Sequence, residues 1–257
     1  MALSLACAAM IGFFDSGVGG LAVLRETRAL LPEADILYLA DQANAPYGRR
    51  TLEEVRAFAE QATLWLVGQG AETVVVACNT ASAAALGHLR ARHPEVQFVG
   101  MEPAVKPAVA ATRSGVVGVL ATVATFSATV FDDLVGRFSA GIDVIAHPCP
   151  GWAQAVEDGW PDAEPAIAAH LAPLLAAGVD TLVIACTHYS FLDDAIARAA
   201  PGVTVIDPAA AVARQVARVA DAVGSGRTTY VTTGDPTRFA AQILRLLGAT
   251  AEVAAVG

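Results

Sequence analysis

The sequence has few charged residues, few cysteines and no long apolar run, and each shortage excludes a class of protein. Charged residues make up 16% of the 257 positions against 55% hydrophobic ones, which argues against intrinsic disorder. Acidic residues outnumber basic ones, and the resulting net charge of −9 predicts no nucleic-acid partner. No apolar run approaches the roughly 20 residues that a membrane span needs, so we expect no membrane partner either.

The cysteines are also too sparse for a disulfide framework or a cysteine-based metal site. None lies within thirty residues of another, and no CxxC spacing occurs among the four, which are Cys7, Cys78, Cys149 and Cys186. This pattern predicts no metal site and no disulfides, and it favours a cytoplasmic protein with free thiols. Residues 1–9 are apolar but lack the basic start of a signal peptide. We therefore expect a disordered extension over residues 1–9, ahead of a first strand at Met10.

Two similar stretches each place a cysteine after a short apolar run. Residues 74–82 read VVVACNTAS, and residues 182–190 read LVIACTHYS. Two further motifs recur in the same order at nearly the same spacing: IGFFDS at 11–16 returns as VGVLAT at 117–122, and EPA at 102–104 returns as DPA at 207–209. Such runs suit buried parallel strands, and ligands of α/β sheets bind beyond the carboxyl ends of the strands.

The repetition predicts two similar three-layer α/β domains with mainly parallel sheets, related by pseudo-symmetry, with a site in the cleft between them. We assign residues 10–105 together with 208–257 to a first domain that carries Cys78. Residues 106–207 form a second domain that carries Cys186. A capping box formed by Thr51 and Glu54 predicts a helix through about residue 68.

Two thiols on opposite walls of one cleft suit a particular chemistry. Each cysteine precedes a predicted helix, whose N-terminal dipole favours the thiolate. One thiolate and one thiol could remove a proton from one face of a carbon and return it on the other, which is racemisation without a cofactor. Asp15 and His188 are placed to orient or titrate the thiols, and Asp41 and Glu157 are further carboxylates that could enter the cleft.

Other interpretations of the same residues exist. Residues 17–22 fit a dinucleotide fingerprint built on Gly17 and Gly19, with Asp41 at about the required distance, so an NAD-dependent oxidoreductase is one alternative. Asp15 would, however, face the pyrophosphate, and we expect instead a tight turn that lets Ser16 and nearby amides bind a small anion. A cysteine hydrolase using Cys186 and His188 would leave the second cysteine unused.

A lone cysteine at a strand end is more often a small buried hydrophobic residue, but the duplication favours a functional pair. Cys149 has no counterpart in the repeat, and we expect it to be structural.

The chain resembles the glutamate racemases of the aspartate/glutamate racemase family, in order from about residue 11 to residue 247. The resemblance lies in six motifs: FDSGVGGL at 14–21, PYG at 46–48, ACNTAS at 77–82, CP at 149–150 continuing to VEDG at 156–159, CTHY at 186–189, and TGDP at 233–236. Departures are Asn44-Ala45, where the family often has an arginine or an aromatic residue, and Ala121 and Ala124, where the family has glycines.

This resemblance implies a cofactor-independent enzyme that interconverts L- and D-glutamate by two-base proton transfer and supplies D-glutamate for peptidoglycan. It implies Cys78 and Cys186 as the catalytic acid/bases, Asp15 and His188 as their assistants, and Asp41 and Glu157 as supporting carboxylates. No metal and no cofactor are expected, and the family suggests a cytoplasmic homodimer. The implied substrate-binding residues are Asp15, Ser16, Tyr47, Gly48, Asn79, Thr80, Thr122, Thr187 and His188.

Three alternatives stay open. One is a racemase or decarboxylase of the same fold that acts on another acid, such as aspartate. The others are the NAD-dependent oxidoreductase that uses Gly17 and Gly19, and a non-catalytic amino-acid-binding protein.

Overall fold

A computed structural model describes residues 10–127, 129–139, 141–161, 163–220 and 224–256. The prediction that residues 1–9 form a disordered extension falls outside these ranges, as does Cys7. The strands in the described ranges are β1 Met10–Asp15, β2 Asp35–Ala40, β3 Ala71–Val76, β4 Gln97–Gly100, β5 Val116–Ala121, β6 Asp143–Pro148, β7 Thr181–Ile184, β8 Thr204–Ile206, β9 Thr228–Thr232 and β10 Val253–Ala255.

The helices in the same ranges connect these strands. They are α1 Leu21–Leu30, α2 Leu52–Gly68, α3 Asn79–Arg92, α4 Val105–Ala111, α5 Val123–Phe126, α6 Thr129–Phe138, α7 Trp152–Asp158, α8 Ala163–Ala176, α9 Asp193–Ala199, α10 Ala209–Val219 and α11 Pro236–Leu247. Two 3-10 helices, Tyr47–Arg49 and Thr187–Leu192, lie in loops that follow strands. No helix within the described ranges is both long enough and apolar enough to cross a membrane.

The strands form two sheets in which every recorded pairing is parallel. The first has the order β10-β9-β2-β1-β3-β4, and the second has the order β6-β5-β7-β8. The order β2-β1-β3-β4 therefore returns as β6-β5-β7-β8, which confirms a mainly parallel α/β fold with two similar halves. β9 and β10 add to the first sheet beside β2. The domain boundaries at residues 105 and 207 stay a prediction.

The central strands are buried because they carry apolar side chains on both faces. Phe13 and Phe14 of β1 point to opposite sides of the first sheet, and neither is exposed. One apolar cluster continues from Phe13 and Tyr38 of the first sheet to Leu182 and Ile184 of the second. This shared core holds the two sheets against each other, so that the carboxyl ends of β3 and β7 meet in one cleft.

Local sequence signals explain several helix ends. Thr51 and Glu54 form the predicted capping box, with each side chain bound to the other's backbone N–H. Helix α11 begins after Asp235, whose carboxylate accepts the N–H of Thr237, and it ends before Gly248, which caps it in the left-handed region. The sequence-based predictions did not include α4, α5, α7, α9, α10, β9 or β10. In α10 the apolar residues Val212 and Val216 pack against the cluster that contains α1.

Candidate active site

The two cysteines of the repeat occupy equivalent places in the two sheets. Cys78 follows β3 and is the N-cap residue of α3, and Cys186 follows β7 and precedes the 3-10 helix that starts at Thr187. Both side chains are nearly buried, with 5% and 6% of their surface exposed. Each thiol thus lies beyond the carboxyl end of a strand, where the topology of α/β sheets places ligands.

Both thiols line one cavity between the two sheets. The cavity holds about 420 Å³ of empty volume, including its part open to solvent. Its walls come from both halves of the chain and are mainly hydroxyl, amide and thiol groups with a few small apolar residues: Ser16, Ala45, Pro46, Tyr47, Gly48, Cys78, Asn79, Thr80, Thr122, Ala153, Gln154, Glu157, Cys186, Thr187 and His188. No lysine or arginine is among these lining residues.

The Cys78 sulfur has few polar neighbours. It accepts the N–H of Ala81 at 3.5 Å, and Ser16 Oγ lies 4.0 Å away. Burial, followed by the negative charge of Asp15, raises the pKa of Cys78 well above its ordinary value, and the Ala81 N–H opposes this only in part. At Cys78, desolvation therefore outweighs the helix dipole that favours the thiolate, which leaves this group as the thiol of the predicted thiolate–thiol pair.

Cys186 has a different neighbourhood. Its Sγ lies 4.0 Å from Nδ1 of His188, and Nε2 of the same ring lies 2.8 Å from Oε1 of Glu157. Burial alone would lower the pKa of His188, but the hydrogen bonds with Cys186 and Glu157 and the charge of Asp15 raise it well above its ordinary value. The ring is therefore an imidazolium at neutral pH, with one N–H directed to each partner.

Glu157 is the anchor of this arrangement. Besides His188, its carboxylate accepts the backbone N–H of Val18 at 2.8 Å and the side-chain amides of Gln242 at 2.8 Å and Gln42 at 3.2 Å. Burial favours the neutral acid, but the hydrogen bonds and positive charge of His188 and the other donors outweigh it and lower the pKa of Glu157. The carboxylate is charged and fully bound.

The two glutamines in this network were missed from the sequence. Gln242 lies on α11 and also donates to the backbone carbonyl of Glu157, while Gln42 donates to Gln242 Oε1. One signal could have identified Gln242: it lies between Phe239 and Ile243 on the apolar face of an amphipathic helix. A buried polar residue there needs a partner.

Asp15 lies behind the cavity wall. Its carboxylate accepts the N–H of Gly17 at 2.7 Å and the hydroxyl of Thr187 at 3.0 Å, and its side chain is fully buried. Burial raises the pKa of Asp15, although His188, Gly17 and Thr187 counteract this effect. The bond to Thr187 joins the two halves of the chain. Asp15 is therefore placed to position Thr187, and its predicted catalytic and substrate-binding roles stay predictions.

Asp41 also lies behind a lining residue. Its carboxylate accepts hydrogen bonds from the phenol of Tyr47 at 2.5 Å and from the hydroxyl of Thr233 at 2.8 Å. Nδ2 of Asn44 also donates to both carboxylate oxygens, at 3.0 and 3.1 Å. Burial and the nearby Asp41 charge raise the pKa of Tyr47, which keeps the phenol protonated as a donor. Asp41 thus holds Tyr47 in the wall, and its predicted catalytic role stays a prediction.

Polar groups of α3 face the cavity with spare hydrogen-bonding capacity. The Asn79 amide is buried, and neither its oxygen nor its nitrogen has a partner among the described residues. The hydroxyls of Thr80, Thr122 and Thr125 lie 2.9–3.2 Å apart and link the two halves. An unpartnered buried amide is costly, which is consistent with a ligand at Asn79, and its predicted substrate-binding role stays a prediction.

The two alanines at the family's glycine positions leave this wall intact. Thr122 is the N-cap of α5 and accepts the N–H of Thr125, with Ala121 in β5 and Ala124 in the helix. No described residue other than glycine has a positive φ, so neither alanine is strained.

The glycine loop serves close packing rather than a dinucleotide. A Cβ at Gly17 would lie 1.8 Å from Glu157 Oε1, and one at Gly19 would lie 2.4 Å from Thr187 Oγ1 and 2.5 Å from His188 Nδ1. Asp15 and Glu157 already bind the N–H groups of Gly17 and Val18. Two carboxylates at these amides would repel a pyrophosphate, which argues against the NAD-dependent alternative.

Comparison with known proteins gives a consistent result. The family model described as Asp/Glu/Hydantoin racemase matches residues 21–216. A curated glutamate racemase from Roseiflexus sp. (strain RS-1) is 50% identical over 248 residues, which cover 92% of this chain and 91% of the relative. A crystal structure of glutamate racemase isoform RacE1 from Bacillus anthracis is 31% identical, covers 97% of each chain and has a TM-score of 0.87.

A second solved structure carries ligands. The Escherichia coli glutamate racemase, crystallised in complex with L-glutamate and the activator UDP-MurNAc-ala, is 30% identical with a TM-score of 0.85. The superposition covers 96% of this chain and 97% of that one.

Proposed function

Since the chain belongs to the Asp/Glu/hydantoin racemase family and is an amino-acid racemase, we propose that it interconverts L- and D-glutamate through Cys78 and Cys186. One observation carries the two-thiol mechanism: the cysteines follow equivalent strands of two sheets with the same strand order, and both line one cavity. The curated relatives, which are glutamate racemases at about half identity, support the choice of glutamate.

The two thiols have unequal surroundings, and these suggest how the reaction starts. Cys78 is protonated in the free protein, because burial and Asp15 oppose its thiolate. Cys186 lies beside the imidazolium of His188, which can stabilise a thiolate by a charge-assisted hydrogen bond. In one direction of the reaction we therefore assign Cys186 as the base and Cys78 as the acid.

Proton transfer then proceeds in two balanced halves. The Cys186 thiolate takes the α-proton, so that a C–H bond breaks and an S–H bond forms. The Cys78 thiol gives its proton to the other face of the α-carbon, so that an S–H bond breaks and a C–H bond forms. The opposite reaction uses the same groups in reversed roles, and neither half needs an oxidant, a reductant or a cofactor.

Neutral donors would hold the acidic substrate. The lining contains the Asn79 amide, whose two polar atoms have no partner in the part of the chain that the structure describes, together with the hydroxyls of Ser16, Thr80, Thr122 and Thr187 and the phenol of Tyr47. Helix α3 begins at Asn79, and its first-turn N–H groups and dipole favour a carboxylate at this end. Such a wall can bind a dicarboxylate without a buried arginine.

In the cell, this activity would supply D-glutamate for peptidoglycan. Three buried free thiols suit the reducing cytoplasm, where we place the enzyme. From the family resemblance we also propose a homodimer, which light scattering of the purified protein would test: the mass of one 26.3 kDa chain would contradict it.

The test is proton NMR of L-glutamate with purified protein in D2O and no added cofactor. We expect the α-proton signal and the optical rotation to disappear together. Cys78→Ala and Cys186→Ala should each abolish racemisation, and a variant that still exchanges the α-proton identifies the face served by its remaining thiol. Cys7→Ala is the matched control, because Cys7 precedes the first strand and has no counterpart in the repeat.

Three results would count against parts of the proposal. Exchange of the α-proton of aspartate but not of glutamate would retain the two-thiol mechanism and exclude glutamate as the substrate. Racemisation by either single-alanine variant at the wild-type rate would exclude the two-thiol mechanism. No exchange with any amino acid would exclude both.

A further inference from the structure

We propose that His147, Cys149 and His170 form a binding site for one divalent ion of the zinc class, separate from the acid–base cavity. His147 lies in β6, Cys149 follows that strand, and His170 lies on α8. Each residue offers one ligand atom, and these three atoms all lie within 4.8 Å of one another. His2Cys is a donor set that zinc accepts, with a fourth position left for water or another ligand.

An unsatisfied atom provides an independent observation at this place. The Nε2 of His147 is buried and has no hydrogen-bond partner among the described residues. A buried ring nitrogen without a partner is costly in the absence of a ligand. Packing alone does not account for it, since the edge-to-face contact with the His170 ring, with centroids 4.7 Å apart, satisfies no polar atom.

The other two residues are already oriented. Nε2 of His170 lies 3.0 Å from the carbonyl oxygen of Pro148, and this backbone contact fixes the ring as carbonyls commonly do for metal-binding histidines. Cys149 is buried, and its Sγ lies 3.5 Å from the carbonyl of His147.

The distances among the three ligand atoms are close to those that a tetrahedrally coordinated zinc ion requires. Zn–N bonds of about 2.0–2.1 Å and Zn–S bonds of about 2.3 Å place neighbouring ligand atoms roughly 3.3–3.6 Å apart. Side-chain movements of about 1 Å would bring the three atoms to those distances. On binding, the Cys149 thiol loses its proton to solvent and the two histidines bind as neutral rings.

A second cavity lies beside one of the three proposed ligand residues. Cys149 lines a cavity of about 530 Å³ of empty volume together with Pro150, Gly151 and Tyr189. The two cavities share Pro46, Gly48, Thr122, Ala153 and Gln154 in their walls, so they adjoin each other.

The position of the cluster suggests what the ion would do. Helix α7 carries Glu157 and starts at Trp152, whose ring packs against His170 and Tyr189 at centroid distances of 5.2 and 5.3 Å. The Tyr189 phenol donates to the Cys149 carbonyl at 3.0 Å. An ion shared by β6 and α8 would fasten the two elements on either side of α7. The sequence-based expectation of no metal site considered only cysteine spacing, and this site depends on two histidines.

The experiment is a Co²⁺ titration of chelator-treated protein, with cobalt as a spectroscopic substitute for zinc. We expect a thiolate-to-cobalt absorption band that saturates at one equivalent, both in the wild type and in Cys78→Ser/Cys186→Ser. Cys149→Ser should abolish the band. His147→Gln and His170→Gln should weaken binding at least about tenfold, and His88→Gln, a histidine on α3 outside the cluster, should not.

A band that persists in Cys149→Ser, or that disappears in Cys78→Ser/Cys186→Ser, would overturn the proposal, because cobalt would then occupy the acid–base cavity. Absence of a band in the wild type would also overturn it. His170→Gln keeps the test valid if Cys149→Ser does not fold: Zn²⁺ should raise the Tm of the wild type and of His88→Gln, but not that of His170→Gln.

Discussion

One oxygen of Glu157 binds both His188 and the glycine loop: Oε1 lies 2.8 Å from His188 Nε2 and 2.8 Å from the backbone nitrogen of Val18. His188 belongs to the half that carries Cys186, and Val18 belongs to the half that carries Cys78. A single carboxylate thus fixes the imidazolium beside one thiol and the loop near the other.

The first prediction concerns pH. The pKa of His188 is raised in the folded protein. Its contribution to the free energy of unfolding is therefore fully present below its ordinary pKa of 6.5 and is lost as pH rises through its pKa in the folded protein. The pKa of Glu157 is lowered in the folded protein. Its contribution to the free energy of unfolding is therefore fully present above pH 4.5 and is lost as pH falls through its pKa in the folded protein. In urea unfolding, the free energy of unfolding should therefore differ most between wild type and Glu157→Gln from pH 4.5 to pH 6.5.

That difference should shrink on both sides of the window. Asp15 is present in both proteins and cancels to first order. A difference that is constant from acidic to alkaline pH would show that the two groups do not form an ion pair.

The second prediction concerns the amide that holds Glu157 from α11. Gln242→Leu conserves volume but removes two donors, so the free energy of unfolding should fall by about 1–3 kcal/mol. The kcat for racemisation should fall as well, with a smaller change in KM, because His188 loses its fixed position. Gln97→Leu, at an exposed site in β4, is the control and should change neither quantity appreciably. Equal kcat in wild type and Gln242→Leu would show that the α11 contact is structural only.

The third prediction concerns the loop itself. Gly17→Ala places a Cβ against Glu157 Oε1, so the loop or the carboxylate must move. We expect a loss of about 1–3 kcal/mol in stability and a clear loss of kcat. Gly87→Ala is the matched change, since a Cβ on this face of α3 meets nothing within 4 Å, and it should stabilise by about 0.5–1 kcal/mol. Thermal unfolding and initial rates measure both effects, and normal activity in Gly17→Ala would contradict the close packing.

The fourth prediction separates ligand binding from stability. Asn79→Ala removes a buried amide that has no partner among the described residues, so the Tm should not fall. The KM for glutamate should rise at least about tenfold, because a hydrogen bond to a charged group contributes about 1.5–3 kcal/mol. Ser82→Ala, also on α3, should lower the Tm and leave the KM unchanged. The Ser82 hydroxyl donates to Val76 O at 3.0 Å and accepts the N–H of Met101 at 2.9 Å. An unchanged KM in Asn79→Ala would exclude this residue from the substrate wall.

Much of the fold followed from the sequence because its signals are local and repeated. Apolar runs, the Thr51 capping box and two cysteine motifs in equivalent places were enough to predict two parallel sheets and a shared cleft. The direction of the Cys78 pKa shift was not accessible in this way. It depends on the balance between the helix dipole and burial beside Asp15, and burial is a property of the folded chain.

Long-range partners were the other gap. The sequence singled out Glu157, but nothing near it in the chain indicates that Gln42 and Gln242 hold its carboxylate. The cluster of His147, Cys149 and His170 was missed for the same reason, because α8 supplies its third member from a separate element.

The repeated strand order also bears on ancestry. Each half of the chain supplies one strand-terminal thiol, and an isolated half would hold only one of the two groups that the cavity brings together. Two identical half-length chains facing each other are the smallest assembly that would have contained both. In a single chain the two walls are free to differ, as they do here, with Ser16 beside one sulfur and His188 beside the other.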